Sequence, residues 1–333
     1  MSDGAPGAAA PAELTPGIFT TSGLPAVRRV ELWESHNAAA LIGLAVLAPD
    51  SLDAAELNVQ LPRARLARVT GSAHSVERTR ETIGRCPADS VAVFLTLRGR
   101  ARFSADGVTL ARGPGDAVAW ETDRPFARTF AGGLEELVVT VPWADLGTRT
   151  GVTTMPAGGR APGRADPVIA SFGGSSGSGS ASSGRRDYYA RALAWIAGRA
   201  TRTERPLRPD EPTVLDLVAA IVAGPHAAGG AACRASASSY IEERLADPNL
   251  GAAEIAAAAC ISERQLSRLF AADGGSVPRH ILARRLQLAH SILSAPGTPT
   301  VAEVAAQCGF TSASYFSHAF RLHFGHRASD LRT

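Results

Sequence analysis

Near its end the chain repeats itself. AEIAAAACISERQLSRLF, Ala253 to Phe270, lies over AEVAAQCGFTSASYFSHAF, Ala302 to Phe320. Ala253/Ala302, Glu254/Glu303, Ile255/Val304, Ala256/Ala305 and Ala257/Ala306 align at an offset of 49 residues. Ser262/Ser312, Leu266/Phe316, Ser267/Ser317, Leu269/Ala319, Phe270/Phe320 and Gly275/Gly325 align at 50. One residue has been inserted partway through the second copy, and the change of offset marks a turn. Apolar residues on both sides of it recur at helical spacing, so the unit is predicted to be helix, short turn, helix.

Local signals bound these helices. Thr300-x-x-Glu303 has capping-box spacing at the start of the second copy, and Gly309 can supply the left-handed residue that ends its first helix. Ser262-x-x-Gln265 has the same spacing at the second helix of the first copy, which assigns Gln265 to capping. Small residues (Ala256, Ala257, Ala305, Ala306) let the two helices of each copy approach closely. Between the copies, Val277 to Ser294 reads as one helix with Ile281, Leu282, Leu286, Ala289, Ile292 and Leu293 on its apolar side, stopped by APGTP. At 1.5 Å per residue it is roughly 25 Å long. Successive major-groove faces of DNA lie about 34 Å apart, so a stiff connector between two such units points to DNA. A helix-turn-helix is also a common packing unit, and the repeat alone leaves both readings open.

Helical geometry sorts the residues by face. In the second copy Phe316, Ala319 and Phe320 point inward, leaving Ala313, Ser314, Ser317, His318 and Arg321 outside. In the first, Leu266, Leu269 and Phe270 are core, leaving Glu263, Arg264, Ser267, Arg268 and Ala271 outside. The aromatics Tyr315, Phe316, Phe320 and Phe324 are expected in the core rather than stacked on bases. Arg264 and Arg268, one turn apart, can each fork onto a guanine edge. The serines suit bases or phosphates, His318 a phosphate or a base, and Arg321 the backbone phosphate. The plain alternative is that these are solvated helix faces. Charge does not decide: from Ala235 onward nine arginines face eight acids, a formal +1.

The segment from about Ser236 to Arg332 resembles the AraC/XylS family of transcription regulators. The likeness runs through LSRLFAADGGSVPRHILARRLQLAHSIL and VAEVAAQCGFTSASYFSHAFRLHFG. The resemblance implies that the outward residues Glu263, Arg264, Ser267, Arg268, Ala313, Ser314, Ser317, His318 and Arg321 contact double-stranded promoter DNA, that RNA polymerase is a partner, and that the protein is an activator. Two departures stand out. Gly325 to Arg332 lacks the Pro and the aromatic that commonly close the family's last helix, and Val277 stands where a Pro is frequent. Further upstream, ARVTGSAHSVERTRETI, LTLRGRARFSADGVTLARGPGDAVAWETDRPF and ELVVTVPWADL are similar to the family's cupin-like effector-binding domain.

The remaining text fits an α+β chain. Residues 1–25 are Ala/Pro/Gly-rich and expected to be disordered. Residues 26–150 carry short strands separated by turn dipeptides such as Asp106-Gly107, the rhythm of a barrel or sandwich, which the resemblance makes a cupin-like effector-binding domain. Residues 151–184 form a Gly/Ser-rich linker, 185–232 a helical connector, and 235–333 the DNA-binding domain. The connector's apolar faces (Tyr189, Leu193, Ile196; Leu215, Val218, Ile221, Val222) suit either core packing or a homodimer seam.

If the strands close a barrel, its interior is the natural pocket for a small-molecule effector whose identity the sequence does not give. Phe94, Phe103, Trp120 and Phe126 are candidate linings, with His74 or Arg80 as polar anchors, and an Arg near the pocket would suit a carboxylate. No His-x-His with a following Glu is present, so no metal, no cofactor and no oxygenase chemistry are expected. The rival readings are a cupin-type small-molecule-binding or enzymatic protein with an accessory helical domain, and a constitutive DNA binder with a vestigial barrel. The N-terminus lacks the basic and apolar regions of a signal peptide, and the longest apolar run, Ala38 to Ala48, is too short to span a bilayer. A cytoplasmic protein is expected, with reduced, mostly buried cysteines at 86, 233, 260 and 308.

Overall fold

The computed structural model describes residues 16–331 apart from 48–51, 152, 156–165, 174–180, 205, 225–226, 228, 273–274 and 295–298. The first fifteen residues, most of the Gly/Ser tract and most of the APGTP stop therefore lie outside the described residues. The chain divides into two compact units. One is Met1–Pro114 with Trp120–Trp143 and Ile196–Glu211, and the other is Gly115–Ala119 with Ala144–Trp195 and Pro212–Thr333.

The first unit is a coiled antiparallel sheet with two helices. Its elements are β1 (Gly17–Thr20), α1 (Ala26–Ala40), β2 (Ala45–Leu47), β3 (Ala54–Gln60), β4 (Arg65–Gly71), β5 (His74–Arg78), α2 (Arg80–Arg85), β6 (Ser90–Ala105), β7 (Val108–Arg112), the end of β8 (Asp116–Glu121), whose start belongs to the second unit, and β9 (Phe126–Pro142). The 17-residue β9 organises them. Its first half pairs with β5 (His74↔Phe130), its second half with β4 (Val69↔Glu136), and β6 runs along both. Both long strands must bend sharply to serve two layers. β6 shifts register between Thr96 and Arg98 and again between Gly99 and Ala101. Gly99 has φ of +81°, and a Cβ there would sit 2.2 Å from the Gly133 carbonyl oxygen, so only glycine fits this corner. The continuous run SVAVFLT of β6 is buried throughout, whereas β5 alternates buried and partly exposed residues.

Two expectations change here. Gly17–Thr20, placed in a disordered tail, is a strand whose residues pair with β3 from Gly17↔Asn58 to Thr20↔Ala55. Residues 26–40, read only as part of a strand-rich domain, are a helix that buries Trp33 and Asn37.

The second unit is mainly helical. α3 (Trp143–Thr150) precedes β10 (Val168–Ser171), which lies within the expected linker and pairs with the start of β8 (Val168↔Ala119). Then come α4 (Ala181–Ala200), α5 (Glu211–Ala223) and α6 (Gly230–Glu243). The apolar positions offered as a dimer seam are all buried within the chain: Tyr189, Leu193, Ile196, Leu215, Val218, Ile221 and Val222. Core packing accounts for them, and they present no free seam.

The repeat folds as α7 (Ala252–Ala258), α8 (Glu263–Ala271), α9 (Val277–Leu293), α10 (Val301–Gln307) and α11 (Ala313–Phe324). α9 belongs to both copies. Val277 and Ile281 join α6, α7 and α8 in one core with Leu266 and Phe270, while Leu286, Ala289 and Leu293 join α10 and α11 in a second with Phe316 and Phe320. Arg284 on α9 donates to both carboxylate oxygens of Glu242 on α6, one at 2.8 Å, and Arg285 reaches the Leu245 carbonyl at 2.9 Å. After Gly325 a short 3₁₀ turn, Ala328–Leu331, still packs Ala328 and Leu331 onto the second core despite its missing Pro and aromatic. Among the described residues, no helix is long and apolar enough to cross a membrane.

Candidate DNA interface and ligand cavity

Each helix pair closes with the same turn. In the first copy the Cys260 N–H donates to the Ala257 carbonyl (3.1 Å) and Ile261 N–H to Ala256 (3.0 Å); in the second, Gly309 donates to Ala306 and Phe310 to Ala305, both at 3.0 Å. This is a Schellman-type ending, which needs a left-handed residue. Gly309 supplies it at φ +77°, and a Cβ there would meet the Leu245 carbonyl oxygen at 2.8 Å. The first copy places Cys260 in the same conformation, at φ +56°. Thr311 is the inserted residue, because Ser262 and Ser312 both cap the helices that follow, accepting from the backbone N–H of Gln265 (3.2 Å) and Tyr315 (3.3 Å). Thr300 and Glu303 form a complete capping box on α10.

The two capped helices, α8 and α11, each expose one face. Glu263, Arg264, Ser267 and Arg268 are exposed on α8, and Ala313, Ser314, Ser317, His318 and Arg321 on α11, while Leu266, Phe270, Phe316, Ala319 and Phe320 are buried. Each helix brings its expected residues together on one side. The cap on α8 uses only the backbone of Gln265 for its bond to Ser262, and the Gln265 side chain is exposed on that same side. Tyr315 departs from the expectation. It is 55% exposed, on the outer side of α11, and not a core residue. Phe324 is partly buried against the second core.

In the first unit the expected aromatics form one cluster. Phe94, Phe103, Trp120 and Phe126 are buried, with Phe126 5.8 Å from Phe94 and 5.7 Å from Phe103, and Phe103 5.7 Å from Trp120. A small cavity of about 30 Å³ adjoins them, lined by Phe94, Phe126 and His74 among others, by Trp33 and Asn37 of α1, and by Leu41 just after it. Phe103 and Trp120 stand behind its wall. Arg80 is exposed at the start of α2 and does not reach the cavity.

Two residues that sequence reasoning missed do line it. Arg128 and Glu136, both of β9 and about 5% exposed, form a two-pronged ion pair at 2.6 and 2.7 Å. The Arg128 guanidinium lies 4.1 Å from the Phe94 ring centre and 4.9 Å from that of Phe130. Their signal was present in the sequence: Arg128 shares strand phase with Phe126 and Phe130, and Glu136 with Leu134 and Val138. His74 bonds the Ser72 carbonyl through Nδ1 at 2.7 Å, and burial is the main cause of its lowered pKa, so its imidazole is neutral near pH 7.

A second buried polar group flanks this wall. Glu56 of β3 pairs across the sheet with Val69, which itself pairs with Glu136. Burial raises the Glu56 carboxyl to about 7, with the Asn58 side chain pulling it the other way. Neither of its oxygens has a hydrogen-bond partner.

The AraC-binding-like domain profile matches residues 40–230 and a helix-turn-helix domain profile matches residues 255–333. The transcriptional activator RhrA of Rhizobium meliloti (strain 1021) is 36% identical over 99 residues, which are 29% of this chain and 32% of RhrA. The probable transcriptional regulator LumQ of Photobacterium leiognathi is 36% identical over 87 residues, 26% of this chain and 34% of LumQ. The chain thus spans about a third of the length of the curated relatives it matches. The crystal structure of the AraC-like transcriptional activator CuxR shares 22% identity at a TM-score of 0.43, covering 82% of this chain and 94% of CuxR. With the AraC-binding-like profile matching more than half of the chain and the helix-turn-helix profile matching the repeat, the chain belongs to the AraC/XylS family of transcription regulators.

Proposed function

We propose that this regulator is an activator that binds promoter DNA through α8 and α11 and answers to a small molecule held inside the sheet unit. The observation that carries the DNA half is the pair of capped helices with exposed polar faces, both seated on α9. Arg264 and Arg268 supply base readout on α8. Ser267, Ser314, Ser317 and His318 contact bases or phosphates, Arg321 holds the backbone, and Glu263 and Ala313 border the contact. The ligand half rests on the cavity beside Phe94, Phe126 and His74, with Arg128 and Glu136 added and Arg80 set aside. Its role is regulatory rather than enzymatic, in the cytoplasm, with RNA polymerase as the partner that family resemblance supplies and a second copy of the chain as a further one.

A footprint of the purified protein on the DNA upstream of its own gene and neighbouring genes tests this reading. Protection of two major-groove patches about one turn apart is expected. Absence of protection at low salt by folded protein would overturn it. A compound that alters the footprint identifies the effector, and one that alters it without changing thermal stability would count against the internal cavity.

A further inference from the structure

We infer that the ligand of the sheet unit carries a positive charge, an ammonium or amidinium head that seats on the buried carboxyl of Glu56. The inference rests on the reading of that unit as the sensor, and names the chemistry it selects. Its starting point is which buried charges are already matched. Arg78, fully buried, gives Nε–H to the Thr122 carbonyl (2.6 Å), one Nη to the Gly43 carbonyl (2.6 Å) and the other to the Cys86 carbonyl (2.7 Å) and Asp123 (2.8 Å). Arg128 gives both terminal nitrogens to Glu136, and only its Nε–H is left without a partner. Among the described residues a carboxylate ligand therefore finds no buried arginine head that is not already engaged by an acid.

Glu56 presents the opposite deficit. It is 1% exposed, and both its oxygens lack a partner. Asn58, the next residue on the same face of β3, donates its amide to His36 Nε2 at 3.0 Å, which makes that nitrogen an acceptor; the Asn58 carbonyl oxygen has no partner. His36 Nε2 stands 3.7 Å from the Glu56 carboxyl, and burial lowers its pKa, so it brings no positive charge near pH 7. From β1 the facing residue is Phe19 and from β4 it is Val69, neither of them charged, while the Arg128–Glu136 pair on β9 is neutral as a whole. Around Glu56 the acceptors outnumber the donors: the Asn58 amide, which lowers the acid's pKa, already gives a hydrogen to His36. An ammonium brings both the charge and the hydrogens they lack.

The surroundings suit such a head. Phe19 stacks on His36 with ring centres 4.3 Å apart, and Trp33 lies 5.9 Å from Phe19, giving aromatic faces beside the acid. The His36 side chain is 21% exposed, so Glu56 lies one side chain below the surface. The cavity of about 30 Å³, which Val69 lines and Glu56 does not, holds about one water-sized group, so seating the head beside the acid requires the packing there to open.

Thermal unfolding of the full chain tests this with three size-matched probes: propylammonium, propanol and butyrate, each at high concentration near pH 8. Only the amine is expected to raise the midpoint, by roughly 2 °C or more. Its effect should shrink about tenfold in affinity for each pH unit below about 7, where Glu56 takes up a proton. Glu56→Gln should abolish the amine's effect while itself folding at least as stably as the parent near pH 8, so that lost binding is separated from lost structure. Equal stabilisation by propanol or butyrate, an amine effect unchanged in Glu56→Gln, or no amine effect at all would each overturn the charge assignment. A butyrate effect lost in Arg128→Met would do so while leaving the sheet unit as the sensor.

Discussion

Single residues carry the sharpest consequences. Arg264 and Arg268 are both exposed on the outer face of α8. Each bidentate contact with a guanine contributes about 1–3 kcal/mol of discrimination. Arg264→Ala and Arg268→Ala are each expected to weaken specific binding about tenfold or more with little change in stability. Titration against target and scrambled DNA checks this, and parent-like binding by both variants would remove α8 as a reader. Glu56 gives a prediction in pH. Its folded pKa, about 7, lies above its ordinary value of 4.5, so the folded state holds the proton more tightly than the unfolded chain. Stability from this group is therefore full below about pH 4.5, falls as pH rises to about 7, and stays low beyond. The cost above pH 7 is about 3 kcal/mol at most. Glu56→Gln should raise stability by part of that amount near pH 8 and change little near pH 4. Equal effects at both pH values in denaturant titrations would show that the carboxyl is not buried in the ionised state.

At the scale of elements, the two turns make a natural comparison. Both need a left-handed residue, yet one has glycine and the other Cys260. A side chain in that conformation costs roughly 1–2 kcal/mol, part of which glycine gives back as chain entropy. Cys260→Gly is expected to stabilise the first pair by a few tenths to about 1 kcal/mol. Gly309→Ala should cost about 2 kcal/mol or more, because its Cβ would meet both the strained φ and the Leu245 carbonyl. Calorimetry of the two variants checks the asymmetry. The same elements show what the sequence made legible. The repeat, the caps and the inward faces of α8 and α11 are local, and spacing alone finds them. Tyr315 was misplaced because a large aromatic one residue before Phe316 looks like core, although it faces away by about 100°. α1 was missed because its buried residues are only Trp33 and Asn37, too sparse for an apolar stripe. Arg128, Glu136 and Glu56 share strand phase with apolar neighbours, but a charged residue in a strand ordinarily marks the outward face. Only the coiling of β6 and β9 around a common interior reverses that reading.

For the whole molecule, charge sets how binding responds to salt. The segment from Ala235 onward carries a formal +1, and the exposed cations on the two helices proposed to read DNA are Arg264, Arg268 and Arg321. Each neutralised phosphate contributes about −0.9 to the slope of log K against log salt; with Arg264 and Arg268 on bases and Arg321 on the backbone, these three give a slope of only about −1 per bound chain, and about twice that for two copies on one site. That is shallow for a DNA-binding protein, and it places the weight of specificity on fit. α9 is what makes fit possible: its first half is embedded in one core and its second half in the other, so the spacing of α8 and α11 is set by packing rather than by a linker. Loosening α9 should therefore reduce discrimination more than it reduces nonspecific binding. Leu286→Ala removes a fully buried side chain from the second core, at about 2–5 kcal/mol of stability. Its expected signature, below the unfolding temperature, is an unchanged salt slope on random DNA with a several-fold loss on the footprinted site. A parallel loss on both would mean that the two helices bind independently and that α9 is only a tether.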